Sequence, residues 1–211
     1  METYKVIVDN EGTLRWFNED CELHRLDGPA VEYSNGTKAY WINGKRHRLD
    51  GPAVEYSNGR KEYYVTGKLH RENGPAVEYP DGYKEWYKNG KRHRENDLPA
   101  CEYANGTKEW WLNGKLHREN DLPAVEYPNG TKEWYINGKI HRENDLPAIE
   151  YADGNKSWFL NGERHRETGP AVELSYEIKF WYLNGKEYSE EEHHKIHQER
   201  IMNPNILINI F

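Results

Sequence analysis

The dipeptide His-Arg occurs seven times at nearly constant spacing, and this periodicity constrains the fold more than any other feature of the chain. Successive copies lie 23, 23, 23, 24, 24 and 24 residues apart. The histidines of the seven pairs are His24, His47, His70, His93, His117, His141 and His165. Such a chain builds one supersecondary unit per repeat and buries apolar surface by stacking neighbouring units.

The variation in repeat length is confined to one segment. A proline follows each His-Arg pair, and from the first six of these prolines the next histidine is always 18 residues away. Between the pair and the proline the chain reads HRLDGP or HRENGP in the short form and HRENDLP in the long form. This segment is therefore expected to be a surface loop, and the 18-residue remainder to be rigidly paired structure.

The constant part of the repeat predicts a β-hairpin. Two short runs rich in Val, Tyr and Trp flank an x-N-G or x-D-G turn, and a second turn, N-G-K, follows. In YPDGYK, Pro80 suits a type I turn and Gly82 the positive-φ position of a G1 bulge. This register sets glutamate opposite lysine across the hairpin. The predicted pairs are Glu32–Lys38, Glu78–Lys84, Glu102–Lys108 and Glu126–Lys132.

These patterns predict an all-β fold, an elongated single-layer antiparallel β-meander or solenoid of about seven hairpin repeats with a short C-terminal capping helix. The array is expected over residues 1–188, with a degenerate first copy over 1–23, and the helix and an apolar tail over 189–211. A capping box at Ser189 and Glu192 and the Asn203-Pro204 stop predict a helix from about Glu190 to Met202.

Composition limits the classes of function. With 28 aromatic residues and only 36% apolar residues, burial is expected to be mainly aromatic. The net charge of −7, with signs mixed and no basic block, disfavours nucleic-acid binding. No stretch approaches the roughly 20 apolar residues of a membrane helix, and METYKVIVDNEG lacks signal-peptide character. Cys21 and Cys101 occupy non-equivalent repeat positions, so a reducing, cytoplasmic setting is expected.

The segments NGKRHRLDGPAVEYSNGTKAYWING and YPDGYKEWYKNGK resemble MORN-type repeats, which share a period near 23 residues, an aromatic hairpin, and N-G-K and D-G turns. They look closest to the variant repeats of bacterial antitoxin-labelled proteins and of large DNA viruses and phages. The resemblance covers roughly residues 1–188. One departure is that Arg replaces the Gly after His, which removes the basis for carrying over a phospholipid-binding role. The resemblance implies an elongated β array used for protein contacts.

Candidate binding residues lie in repeated columns. One comprises the arginines of the His-Arg pairs, and another the aromatic residues of the second strand. The residues proposed for a binding surface are Arg48, Arg71, Arg94, Arg118, Arg142, Trp86, Trp110, Trp111 and Trp134. Two readings of the arginines stay open: contacts within their own loops, as between Arg48 and Asp50, or contacts with a carboxylate- or phosphate-bearing partner.

Other candidate sites have simpler structural interpretations. Neighbouring histidine columns are expected about 10 Å apart, too far to share one metal ion, and no metal or cofactor is predicted. Cys101 replaces a valine of its column. His193 and His197 are four apart on the helix and are expected to be solvated, although they could supply two ligands to a shared metal. The tail, residues 205–211, either packs back on the array or adds to a partner as a strand.

No unique catalytic constellation is present, because nearly every reactive side chain recurs about seven times, so no catalytic residue and no enzyme activity are predicted. The leading hypothesis is an extended protein-binding or scaffolding surface with a protein partner. One alternative is an antitoxin-like inhibitor of a single enzyme, as in viral counter-defence. Another is a structural component that assembles end to end through its sheet edges or its C-terminal tail.

Overall fold

The computed structural model describes residues 4–203, and the chain divides into two compact units, Met1–Ala104 and Asn105–Phe211. The strands of the first unit are β1 (Lys5–Val8), β2 (Leu14–Phe17), β3 (Val31–Glu32), β4 (Lys38–Ala39), β5 (Trp41–Ile42), β6 (Lys45–Arg46), β7 (Val54–Glu55), β8 (Lys61–Glu62), β9 (Tyr64–Val65), β10 (Lys68–Leu69), β11 (Val77–Glu78), β12 (Lys84–Glu85), β13 (Tyr87–Lys88), β14 (Lys91–Arg92) and β15 (Cys101–Glu102). The elements of the second unit are β16 (Lys108–Glu109), β17 (Trp111–Leu112), β18 (Lys115–Leu116), β19 (Val125–Glu126), β20 (Lys132–Glu133), β21 (Tyr135–Ile136), β22 (Lys139–Ile140), β23 (Ile149–Glu150), β24 (Lys156–Ser157), β25 (Phe159–Leu160), β26 (Glu163–Arg164), β27 (Val172–Glu173), β28 (Lys179–Leu183), β29 (Lys186–Tyr188) and α1 (Glu190–Met202).

Each unit is built on one antiparallel meander, which confirms the predicted all-β hairpin fold. In the first unit the strands pair in the order β1-β2-β3-β4-β7-β8-β11-β12-β15. In the second the order is β16-β19-β20-β23-β24-β27-β28-β29. Hairpins of successive repeats therefore hydrogen-bond side by side within each unit.

The register of the hairpins follows the turn chemistry. Tyr79 N–H donates to the Tyr83 carbonyl at 2.9 Å, and Gly82, at φ 94°, donates to the Tyr79 carbonyl. This is the predicted type I turn with a G1 bulge. Three predicted charge pairs, Glu32–Lys38, Glu78–Lys84 and Glu126–Lys132, lie directly opposite each other. The fourth predicted pair, Glu102–Lys108, falls on either side of the division between the units.

A second, smaller hairpin follows the first, and its turn is Asn-Gly or Thr-Gly. It divides the aromatic run, which the sequence predicted to lie in one strand, between two hairpins. Tyr40 lies between β4 and β5: its N–H donates to Ala53 of the next repeat at 2.8 Å, whereas its carbonyl accepts from His47 at 3.1 Å. The chain then turns through Asn43 and Gly44, at φ 47° and 69°, which is a type I′ geometry. The aromatic columns therefore lie at the junction of two hairpins.

Before the C-terminal strands and helix, the fully buried residues are small and mostly aliphatic, which corrects the expectation of a mainly aromatic core. An alanine before each first strand is 0% exposed, and the next residue is at most 8% exposed. The second column comprises Val31, Val54, Val77, Cys101, Val125, Ile149 and Val172. Burying one such side chain per repeat contributes about 2 kcal/mol. Cys101 is therefore an apolar column member, as predicted.

The C-terminal helix begins and ends where the sequence predicts. The Ser189 hydroxyl accepts from Glu192 N–H at 3.2 Å, and the Glu192 carboxylate accepts from Ser189 N–H at 2.9 Å, which completes the capping box. The helix packs on β28 and β29. No helix within residues 4–203 has both the length and the apolar character to cross a membrane. The apolar tail, residues 205–211, lies outside the described residues.

Candidate functional site

The seven His-Arg pairs open the loops that connect one repeat to the next. We call these segments, from each histidine to the following proline, the His-Arg loops, and the row that they form within a unit the loop edge. The His-Arg loops are residues 24–29, 47–52, 70–75 and 93–99 in the first unit and 117–123, 141–147 and 165–170 in the second. The candidate binding residues of the sequence analysis lie in or beside these loops.

The imidazoles of the His-Arg pairs bind the second hairpin of the following repeat, as shown for His24, His47, His70, His117, His141 and His165. The Nδ1 atom of His70 accepts the backbone N–H of Asn89 at 3.1 Å, and that of His141 accepts the N–H of Asn161 at 3.0 Å. The same contact is made by His24, His47, His117 and His165. In His70, His117 and His141, Nδ1 accepts, so Nε2 carries the proton and donates to the glutamate two residues on, as from His141 to Glu143 at 2.9 Å. The histidines are therefore inter-repeat hydrogen-bond acceptors.

Each arginine of a His-Arg pair closes its own loop. The Arg48 guanidinium lies 4.0 Å from the Tyr40 ring centroid and donates to the Pro52 carbonyl, to Asp50 at 2.9 Å and to Glu55 at 2.7 Å. Each of the other six arginines likewise stacks on an aromatic ring and contacts the loop proline carbonyl and a strand glutamate. They are Arg25, Arg71, Arg94, Arg118, Arg142 and Arg166. These contacts match the first of the two interpretations of the arginines, in which they bind groups of their own repeat.

The extra residue of the long loops adds contacts to the next repeat. Within the long form, Asn144 and Asp145 both adopt positive φ, at 61° and 56°. The Asp145 carbonyl accepts from the indole of Trp158 at 2.9 Å, and its carboxylate accepts from Arg166 and from Thr168 at 2.6 Å. Burial alone would raise the pKa of Asp145, but these hydrogen bonds lower it. Asp121 makes the same contacts to Trp134 and Arg142.

The proposed tryptophan columns differ in exposure. Trp110 and Trp134 are only 6% exposed and lie under Arg118 and Arg142. Their burial corrects the expectation that these two rings form an exposed surface. Trp86 and Trp111 are half-buried, and the Trp111 indole donates to Glu109 at 2.8 Å. Binding of a partner by Trp86 and Trp111, or by the arginines, stays a prediction.

The loop edge exposes carboxylates and leucines above the half-buried arginines. The second or third residue after each histidine is acidic in every loop, and most of these side chains are strongly exposed. Their exposed side-chain fractions are Asp27 73%, Asp50 84%, Glu72 75%, Glu95 60%, Glu119 73%, Glu143 68% and Glu167 51%. Exposed leucines accompany them at Leu26, Leu49, Leu98, Leu122 and Leu146. The outermost surface is therefore acidic and partly apolar.

Consecutive His-Arg loops enclose open pockets on this edge. In the first unit three pockets of about 450, 590 and 420 Å³ follow one another, and neighbouring pockets share a loop. Their aromatic linings come from Tyr40, Tyr63, and Trp86 with Tyr87, respectively. The second unit has a pocket of about 220 Å³ lined by Trp134 and Tyr135. The same residue types thus recur around a row of cavities.

Two buried carboxylates were not identified from the sequence. Glu62 and Glu85 are 4% and 5% exposed and replace the alanine found at position 39. Glu85 accepts from Arg92 at 2.5 Å and from the Tyr83 hydroxyl at 2.6 Å. Burial and this hydrogen bond raise the pKa of Tyr83. The signal in the sequence is Arg92, which directly follows the N-G-K turn and supplies a cation close to Glu85.

The remaining candidate residues lie away from the loop pockets. His193 is 0% exposed, so the expectation of a solvated imidazole is wrong for this residue; its Nε2 donates to the Arg166 carbonyl at 2.7 Å. Burial lowers the pKa of His193. Cys21, exposed at φ 61°, and Cys101 are both free thiols. In residues 4–203 no group of three or more His, Cys, Asp or Glu side chains is arranged to hold a metal ion.

Comparison with known proteins adds no family to this description. The sequence matches no model of a protein family, and no curated protein matches it significantly. The relation to MORN-type repeats therefore stays a prediction based on the quoted repeat segments.

Proposed function

We propose that this protein is a non-enzymatic repeat protein that binds a protein partner along its loop edge. The observation that supports this proposal most strongly is the row of three connected pockets in the first unit, each lined by an aromatic ring and flanked by exposed carboxylates. A partner that spans several equivalent pockets gains affinity from several weak contacts in series. The proposal extends to the cytoplasm, because the two free cysteines fit a reducing compartment.

The surface in this proposal differs from the one first predicted. The arginines and the buried tryptophans support the loops, and the exposed carboxylates and leucines above them contact the partner. Leu49 is 80% exposed and lines two neighbouring pockets, so it is the best placed apolar contact. Non-enzymatic binding is supported by the recurrence of the same side chains in every repeat, because catalysis needs one distinct constellation.

Affinity capture with matched variants tests this proposal. The loop-edge variant carries Leu26→Ser, Leu49→Ser and Leu98→Ser, and a control carries Tyr33→Ser and Tyr127→Ser at exposed positions outside the loops. We expect a partner to be retained by the wild type and the control and lost from the loop-edge variant. Partners that ignore the loop-edge changes, or no partner at all, would contradict the proposal. Capture of one stoichiometric enzyme would favour an antitoxin-like inhibitor.

End-to-end assembly is a second candidate function, and the first strand favours it. All four residues of β1 are exposed, with Val6, Ile7 and Val8 at 47%, 40% and 60%, and β1 pairs with β2 along one side. Such an apolar edge strand can pair with another chain. Light scattering at rising concentration should then show a mass increase that Val6→Lys and Val8→Lys abolish. A constant monomer mass would remove this candidate.

A further inference from the structure

The charged side chains of the loop edge lie at two depths, with the arginines below and carboxylates outside them, so the outer surface of the edge is negatively charged. Arg25, Arg48 and Arg71 are 21–31% exposed at their side chains. Each is paired with a strand glutamate, the partners being Glu32, Glu55 and Glu78. Each pair is neutral, so the outer carboxylates of Asp27, Asp50 and Glu72 add about one negative charge to the mouth of each pocket, and among the described residues no lysine lines the first two pockets. The Arg48 hydrogen bond lowers the pKa of Asp50, which keeps that carboxylate ionised.

Every pocket of the first unit is bordered by two of these outer carboxylates. Asp27 and Asp50 border the first, Asp50 and Glu72 the second, and Glu72 and Glu95 the third. Lys88 lies 2.7 Å from Glu95 and neutralises it, so the acidic surface is strongest at the first two pockets. A bound segment therefore meets an aromatic lining at the centre of each pocket and a carboxylate on each side.

The spacing of the pockets selects the conformation of a bound chain. Equivalent strands of successive repeats are separated by one strand, as β4 and β8 are by β7, so the repeat distance is about 9.4–9.8 Å. One turn of polyproline II is three residues and about 9.3 Å, whereas two turns of α-helix span about 10.8 Å. Over three repeats a helix becomes longer than the row of pockets by about 3–4 Å, whereas a polyproline II chain becomes shorter by about 1 Å. Aromatic-lined grooves are also the usual receptors of polyproline II segments.

We propose that the loop edge binds a basic, proline-rich polypeptide in the polyproline II conformation, with one Lys or Arg at every third position, one turn per repeat. This inference rests on the proposed function, whose partner class it specifies. The cations contact the outer carboxylates, and the prolines pack on the pocket rings and on Leu26 and Leu49. The earlier reading, in which the arginine columns receive an acidic or phosphorylated partner, requires the opposite charge.

Fluorescence anisotropy with labelled peptides tests this proposal on the full chain. The probe is a peptide of four Pro-Pro-Arg triplets; the controls are a peptide of the same composition with its arginines consecutive and a peptide of Pro-Pro-Glu triplets. We expect the probe to bind about tenfold more tightly than the consecutive-arginine peptide, because three matched ion pairs contribute about 0.5 kcal/mol each. The affinity should fall as salt rises.

Matched charge variants locate the site. The variant Asp27→Asn, Asp50→Asn, Glu72→Gln should bind the probe about tenfold more weakly. The control Glu11→Gln, Glu19→Gln, Asp81→Asn removes the same charge from exposed positions away from the pockets and should bind like the wild type. Circular dichroism melts of both variants establish that each is folded.

Four results would overturn the inference: equal binding of the consecutive-arginine peptide, preference for the Pro-Pro-Glu peptide, equal loss of affinity in the control variant, or no binding of any peptide. In the last case, a captured partner that depends on the loop-edge leucines would leave the proposed function standing while removing this partner class. Failure of both assays would remove both proposals.

Discussion

The imidazole of a His-Arg pair joins two repeats, whereas the guanidinium closes its own loop. His141 accepts a backbone N–H from the next repeat, and Arg142 stacks on Trp134 within its own. Adjacent residues in the sequence therefore stabilise different interfaces. The sequence identified the pair but not the imidazole's partner, because a backbone N–H in a turn carries no side-chain signal.

Replacing the histidine of a His-Arg pair should therefore lower the free energy of unfolding by more than the change in side-chain volume alone would. His141→Phe keeps a ring but leaves the Asn161 N–H without its acceptor, so we expect a loss of about 1–3 kcal/mol in the free energy of unfolding. Glu143→Gln keeps the acceptor and should cost less than about 0.5 kcal/mol. Urea denaturation followed by tryptophan fluorescence measures both, and equal effects would contradict this account.

One turn of the last repeat is strained at a single residue. Glu177 adopts φ 60°, where equivalent turns have glycine, as at Gly82. Glu177→Gly should therefore raise the free energy of unfolding by about 1 kcal/mol, whereas Gly82→Ala should lower it by at least as much. Thermal denaturation tests the opposite signs; a loss of stability in Glu177→Gly would show that the Glu side chain makes a stabilising contact.

At the scale of elements, the first hairpin was predictable and the second was not. Pro80, Gly82 and the Glu78–Lys84 pair fix the register of the first from local chemistry alone. The break at Tyr40 depends instead on its N–H and carbonyl bonding to two different segments, Ala53 and His47. That choice is tertiary, so residue types in a window do not encode it. The helix was predictable because its caps are local.

The long His-Arg loop should strengthen the contact with the following repeat. Exchanging residues 141–147, HRENDLP, for the short form HRENGP removes the Asp145 contacts to Trp158 and Arg166. We expect a loss of about 1–3 kcal/mol by urea denaturation, from a partly buried network of hydrogen bonds. In the matched exchange, HRENDLP replaces the short loop of residues 70–75. That short loop has no residue equivalent to Asp145, so this exchange removes no such contact. If both exchanges cost the same, loop length alone sets the stability.

Docking of α1 should depend on pH through His193. Its buried imidazole faces the Arg166 carbonyl, with His194, His197 and Arg200 nearby. Because burial lowers the folded-state pKa, the neutral form stabilises docking above the ordinary value of about 6.5, and this stability is lost as the pH falls through the lowered pKa. The protection factors of α1 amides, which correct for the slower intrinsic exchange at low pH, should therefore fall as the pH is lowered from about 7 to about 5.

A control separates this effect from general acid sensitivity. His194→Gln, at an exposed neighbouring position, should keep the acid response of α1, whereas His193→Gln should flatten it. An unchanged profile in His193→Gln would assign the response to another group.

At the scale of the molecule, stability should be divided among the repeats, since within each unit a hairpin bonds to its neighbours in sequence. Deleting residues 124–147 joins Pro123 to Ala148 and recreates the native Pro-Ala junction. We expect a folded protein that is less stable by about 1–4 kcal/mol, in proportion to the residues removed. A deletion of 124–141 breaks the register and should unfold the second unit. Circular dichroism with urea distinguishes the two, and unfolding of the in-register deletion would contradict a modular array.

The repeat period and the invariant 18-residue segment were sufficient to predict hairpins lying side by side. The depth at which each charged column lies was not predictable, because Arg48 and Asp50 are two residues apart in one loop and only their packing on Tyr40 decides which is exposed. The sequence therefore predicted the position of the candidate surface but indicated exposed arginines, whereas the structure exposes carboxylates there.

The fold and the proposed binding surface both depend on the pairing of hairpins from successive repeats. Nuclear Overhauser effects between backbone protons of β8 and β11 measure it directly, since these strands belong to different repeats. We expect contacts linking Lys61 to Glu78 and Glu62 to Val77. Contacts confined to strands of the same hairpin, such as Glu55 to Lys61, would contradict the side-by-side arrangement and the loop edge built on it.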